Sequence, residues 1–163
     1  MGEELKENDP ETYAVIGAAM EVHRELRHGM AEAVYRDALA VECAMRKIPF
    51  EREKRLSILY KGGTLPTIYR ADFVCFGTLL VECKSLPRIG SAEYSQVVNY
   101  LRITNLTRAI VLNFGTFSLT CKRLIYDPAR STLDIQPTPD DLSLERPSPN
   151  NLSSSALIPR LRD

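Results

Sequence analysis

Asp72, Glu82 and Lys84 are ionised residues set at the ends of two segments that otherwise read as buried strands. Arg70-Ala71-Asp72-Phe73 carries the first, Val81-Glu82-Cys83-Lys84 the second, and nine residues separate Asp72 from Glu82. An unpartnered buried charge is expensive, so such a set points to metal binding or to chemistry. Strand alternation puts Glu82 and Lys84 on one face with Leu80, leaving Leu79, Val81 and Cys83 for the core. Gly77-Thr78 is a Gly-first pair suited to a type II′ hairpin turn. Segments 70–76 and 79–85 should therefore run antiparallel, with Asp72 near the level of Cys83. Two carboxylates would then face one point with an ammonium beside them. Mg²⁺ suits that arrangement, because it takes a few carboxylate oxygens and keeps several waters. The competing reading is a surface ion pair between Lys84 and Glu82 or Asp72, since most exposed pairs carry no function.

The flanking text supplies the elements that must hold these residues. Asp9-Pro10-Glu11 starts a helix, with a capping Asp, Pro at the first helical position and an acid in the first turn. Val15, Ala19, Val22 and Leu26 recur at helical spacing until Gly29 breaks the run. A second helix begins near Ala31, is expected to bury Val34, Ala38, Val41 and Met45, and ends near Pro49. Leu56, Ile58 and Tyr60 alternate as a strand, and Lys61-Gly62-Gly63 turns it into the hairpin. Ser91 is placed as the cap of a third helix over 92–104, with Tyr94, Val97, Val98 and Leu101 on its apolar side. Ala109 to Phe114 reads as a buried strand and Phe117 to Tyr126 as its return. The order α-α-β-β-β-α-β-β predicts an α/β (α+β) domain on a mixed sheet.

Length supports one domain, assigned to residues 1–135 of the 163. Beyond it, half of the ten prolines fall in 137–163, with Ser153-Ser154-Ser155, so 136–163 reads as a disordered or extended tail. An apolar fraction of 44% and a charged fraction of 26% are those of an ordinary globular protein. No apolar run could span a bilayer and the first residues lack signal-peptide order, so no membrane partner and a cytoplasmic location are expected. Cys43, Cys75, Cys83 and Cys121 form no C-x-x-C pair, which argues against structural zinc and for reduced core thiols. Zero formal net charge does not advertise a nucleic-acid binder, yet a local basic face suffices for one.

Several blocks occur together in order. Gly29-Met-Ala-Glu32-Ala-Val-Tyr35 matches a G-x-x-E-x-x-Y signature behind His23-Arg24-Glu25-Leu26. Tyr69 to Phe73, Val81 to Ser85, Gln96 to Leu101 and Leu112-Asn113-Phe114-Gly115 follow. Across 13–126 the chain resembles the GxxExxY proteins of the PD-(D/E)xK nuclease-like superfamily. The resemblance implies a restriction-endonuclease-like αβββαβ core, a mixed central sheet flanked by helices. It implies Asp72 and Glu82 as metal ligands for Mg²⁺ (Mn²⁺ as substitute), with the Cys83 backbone carbonyl a third and Glu32 completing the site. Lys84 would orient the attacking water and Gln96 would face the site, with Tyr100 one turn on. Arg70 and Arg88 are candidate phosphate contacts, and Tyr35 and Tyr100 further substrate contacts; packing is the rival role for Tyr35. Arg52, Lys54, Arg55 and Lys61 form a basic patch that Glu51 and Glu53 dilute, and such runs are usually solvated faces. His23 is read as a helix residue rather than a general base.

Three functions follow from this reading. The first is metal-dependent phosphodiester hydrolysis of nucleic acid, DNA ahead of RNA, by a chain whose assembly could be a homodimer. The second is a catalytically silent nuclease-like module that binds nucleic acid or a partner protein. The third is an interaction protein whose charged cluster is an ion-pair network.

Overall fold

A computed structural model describes residues 2–138. A short helix, α1 (Gly2–Asn8), precedes α2 (Pro10–Leu26), and was not anticipated from the sequence. The α2 start follows the expected physics: the Asp9 carboxylate accepts from the Thr12 amide at 3.2 Å and from the Thr12 hydroxyl at 2.8 Å, with Pro10 at the first position. Gly29, at φ +105°, makes the turn into α3 (Glu32–Met45), a backbone region that favours glycine.

The buried stripe of α3 differs from the expected one. Val34 and Met45 are 39% and 55% exposed, whereas Tyr35, Leu39, Ala40 and Cys43 face inward. Tyr35 sets that rotation: its ring stacks on Phe114 with centroids 4.7 Å apart, which the apolar spacing alone did not reveal.

Six strands follow: β1 (Phe50–Tyr60), β2 (Gly63–Cys75), β3 (Leu79–Lys84), β4 (Arg108–Asn113), β5 (Thr120–Asp127) and β6 (Thr132–Pro137), with α4 (Ser91–Thr104) between β3 and β4. They form one mixed sheet in sequence order, antiparallel except for β3 and β4, which α4 joins as a parallel crossover. Ser91 is already helical. Gly90 precedes it and its amide donates to the Glu93 carboxylate at 2.7 Å.

The expected domain boundary at 135 falls inside β6, which pairs with β5 as far as Lys122–Pro137. The next residue, Thr138, is buried and donates its hydroxyl to the Cys121 carbonyl at 2.9 Å. The rest of the expected tail lies outside the described residues.

Helices cover both faces of the sheet. On one side α2 and α3 bury Val15, Ile16, Leu39 and Cys43 against Phe73, Leu79, Val81, Ile110, Leu112 and Phe114. On the other, α4 packs Val97, Tyr100 and Leu101 against Leu80, Ala109, Val111 and Leu124. The mixed sheet with flanking helices agrees with the fold class expected from the sequence.

The β2–β3 turn sits one residue earlier than the sequence suggests. Thr78 N–H donates to the Cys75 carbonyl at 3.1 Å, and Phe76 and Gly77 have φ of +56° and +71°. Two positive φ values mark a type I′ rather than a type II′ turn. Thr78 is drawn out of the turn by Glu11 and Arg108, which both bond its hydroxyl.

Candidate active site

The site lies where the β2–β3 ladder opens. Pairing runs Cys75–Leu79, Val74–Leu80 and Phe73–Val81, then stops, which leaves Asp72 level with Glu82 rather than with Cys83. Side chains replace the ladder there. Asp72 N–H donates to Glu82 Oε1 at 3.2 Å, and Cys83 N–H donates to Asp72 Oδ2 at 2.8 Å. The β1 side is irregular too: Glu53 has φ +49° between the Arg52–Phe73 and Lys54–Ala71 pairs. The pleat reverses across Asp72, so that Ala71 packs with the α4 side and Phe73 with the α3 side. Two residues that ordinary alternation would put on one face are thereby split, and the Asp72 carboxylate is left between the layers.

Asp72 and Glu82 are 7% and 2% exposed, so their charges interact with little water between them. Burial first, and then the charge of Asp72, push the Glu82 pKa up to about 8, against the opposing pull of the Asp72 amide and Lys84. Lys84 Nζ lies 3.8 Å from Glu82 Oε2 and donates to Gln96 Oε1 at 2.9 Å. Gln96 donates in turn to the Tyr100 hydroxyl at 2.8 Å, and Tyr69 packs on the Tyr100 ring at 5.6 Å. α4 thus reaches the end of β3 through a Tyr100–Gln96–Lys84 chain.

Arg36, a residue the sequence reading missed, donates from Nη1 to Asp72 Oδ1 at 3.0 Å, while its Nε is buried without a partner. Its place four residues after Glu32, on the same helix face, was the available signal. Glu32 itself is half-buried, and its charge acts on Arg36 and on the Cys83 thiol.

The remaining candidates fall into two groups. Tyr35 is fully buried, accepting from Met30 N–H and donating to the Arg27 carbonyl at 2.6 Å, so it builds the Gly29 loop from beneath. That position takes it out of reach of a substrate. Tyr100 is 5% exposed and supports Gln96. Arg70 and Arg88 are exposed and form no ion pair among the described residues. His23, within α2, has Nε2 3.0 Å from the Thr116 carbonyl, and its ring stacks near Phe114.

Asn113 and Gly115 fix the segment that follows Lys84. Asn113 accepts from Leu86 N–H at 3.0 Å and from Gly115 N–H at 3.1 Å, and donates to the Leu86 carbonyl at 2.9 Å. A Cβ on Gly115 would stand 2.4 Å from the Leu86 nitrogen. Ser85 completes the frame by donating to the Met30 carbonyl at 2.9 Å, which ties the Gly29 loop to the end of β3.

Among the described residues no group of three or more His, Cys, Asp or Glu side chains forms a cation cage. The donors present are two buried carboxylates. The Cys83 thiol is not one, since burial first and the nearby acids next hold its pKa well above the ordinary value. Two buried carboxylates, with the proton held on Glu82 first by burial and then by the charge of Asp72, fit a hard cation, which keeps waters for the rest of its shell. A cavity of about 350 Å³, lined by residues that include Ile16, Met20, His23, Phe117 and Leu119, shares no residue with the pair.

Residues 9–124 match the PD-(D/E)XK nuclease superfamily, and the chain belongs to that superfamily. The sheet and its helices are accordingly a restriction-endonuclease-like fold, and membership points to a nuclease with a nucleic-acid substrate. Glu82-Cys83-Lys84 spells the second half of the name-giving motif, whereas Ala71 stands where the name has proline before Asp72. Neither the curated proteins nor the solved structures compared with the chain match it.

Proposed function

We propose that the chain is a divalent-cation-dependent nuclease that hydrolyses phosphodiester bonds, with DNA as substrate ahead of RNA. The observation that carries this reading is the opened ladder, which sets Asp72 against Glu82 with the Lys84 ammonium 3.8 Å from the latter. Asp72 and Glu82 would hold Mg²⁺, or Mn²⁺ in its place, with the Cys83 backbone carbonyl as a third donor and Glu32 at the margin. Bound there, the cation supplies Lewis acidity, lowering the pKa of water and stabilising charge on the phosphate. Lys84 orients the attacking water and adds positive charge beside the scissile phosphate. Gln96 fixes the Lys84 ammonium and Tyr100 fixes Gln96, so α4 sets where that charge stands. The Gly29 loop and the first turn of α3, held by Tyr35 and Ser85, support a place among the GxxExxY proteins.

The Arg36–Asp72 pair favours a second reading, a nuclease-like module that binds nucleic acid without cutting it. One panel separates the two: labelled single- and double-stranded DNA and RNA incubated with Mg²⁺, with Mn²⁺ and with EDTA. Cleavage that needs a divalent cation and is strongest on DNA is expected. Binding without cleavage under every condition would establish the silent module instead.

A further inference from the structure

Residues 63–70 of β2, in the β1–β2 hairpin, are all exposed. Several cations on or beside it are already neutralised. Arg36 is bonded to Asp72, Arg52 to Asp37 and Lys54 to Glu51. Arg55 and Arg70 are different. They sit directly opposite each other across the two strands, both exposed, and neither forms an ion pair among the described residues.

Like charges directly opposite on neighbouring strands destabilise a hairpin, and an anion between them removes that penalty. Their face is fixed by their neighbours. Leu56, Tyr69 and Ala71 turn toward α4, so Arg55 and Arg70 turn to the opposite side, where Arg36 meets Asp72. Arg70 is two residues from Asp72, about 6.6 Å along the strand at the usual rise.

We propose that Arg55 and Arg70 form a clamp for the phosphodiester backbone of a DNA strand, gripping a phosphate where that strand passes Asp72 on the α3 side of the sheet, across the sheet from Lys84. This rests on the nuclease reading and names the substrate contact for it. Guanidinium groups suit the task because their planar fork matches phosphate oxygens and keeps its charge at any physiological pH. The contact carries no base information, so the clamp gives affinity and register rather than sequence choice.

Fluorescence anisotropy with a short fluorescein-labelled DNA duplex, in EDTA so that no turnover intervenes, tests the clamp in the full chain. The Arg55→Gln/Arg70→Gln double variant should bind at least tenfold more weakly at low salt. Its slope of log affinity against log salt should be shallower by about 0.9, for the one phosphate the clamp neutralises. Its melting temperature should hold or rise, because a like-charge pair is gone, and Arg52→Gln should keep the wild-type slope. A double variant with the wild-type slope, beside a wild type that binds and cleaves, overturns the clamp alone. A wild type that binds no DNA in EDTA overturns the clamp, and the nuclease reading falls with it only if Mg²⁺ also brings no cleavage.

Discussion

Glu82 is the residue whose chemistry says most about this site. Its carboxyl titrates near 4.5 when unfolded and is pushed to about 8 in the fold, chiefly by burial and then by Asp72. Below 4.5 both states hold the proton and folding bears no penalty from it. Between the two values only the folded state keeps the proton, so this group makes stability fall as pH rises, by at most about 1.4 kcal/mol per pH unit. Above 8 the penalty stays constant. Glu82→Gln should remove that decline from urea unfolding measured between pH 5 and 8, and should abolish any rise in melting temperature with Mg²⁺. An unchanged decline in the variant would show that the carboxyl is not the source. Arg36 offers the complementary test. It occupies one oxygen of Asp72, so it competes with any cation bound there. Arg36→Gln should lower stability in EDTA yet enlarge the Mg²⁺-induced rise in melting temperature; a smaller rise would mean that Arg36 helps to build the site. Asp72, Glu82 and Lys84 were legible as a cluster because charge in a strand is conspicuous. Arg36 was not, because an arginine on a helix looks like solvent-facing charge until the helix is packed.

At the scale of elements, the site depends on a ladder that stops early and on loops that hold the released ends. The sequence signalled the β2–β3 hairpin and its antiparallel sense, but placed its turn one residue late. Gly77 dominates the local signal, whereas Thr78 is pulled away by Glu11 and Arg108, contacts distant in sequence. The pleat reversal at Asp72 had no local signal, since the left-handed Glu53 that accompanies it is an ordinary residue in an ordinary strand. Asn113, in contrast, stood within a recognisable block, and the structure gives that block a physical task. Asn113→Ala would strand three backbone groups of Leu86 and Gly115, costing about 3 kcal/mol by thermal or chemical unfolding. It should also lower turnover more than DNA affinity, because the segment after Lys84 loses its anchor. A loss of stability with turnover intact would make Asn113 a scaffold residue only.

Across the whole molecule, one buried carboxylate ties the layers together. Asp9 caps α2 and accepts from Arg108 on β4 and Arg123 on β5, at 2.6 and 3.0 Å. Burial raises its pKa, but Thr12 and the two guanidiniums outweigh that and hold it below the ordinary value. The capping role could be read from Asp9-Pro10-Glu11; the bridge to the sheet could not, since its partners lie about a hundred positions away. The far edge was misread for a related reason. Proline-rich text after Asp134 hid β6, whose pairing with β5 is set by the neighbouring strand and not by local preference. A chain ending at Ile135 loses Gln136, which bonds Arg123, and Thr138, which bonds the Cys121 carbonyl. It should melt measurably lower than a chain ending at Thr138, by about 2 kcal/mol of stability. Equal melting would mean that the end of β6 contributes nothing to the fold.

The central claim, that Asp72, Glu82 and Lys84 form a hydrolytic site, is tested most directly by Lys84→Ala in single-turnover cleavage of labelled DNA at saturating Mg²⁺. The variant should lose a hundredfold or more in rate, on the order of a general catalytic group's contribution. It should keep the Mg²⁺-induced rise in melting temperature, because both carboxylates remain. Cleavage by Lys84→Ala at the wild-type rate would contradict the account and leave Lys84 as an ion-pair partner of Glu82.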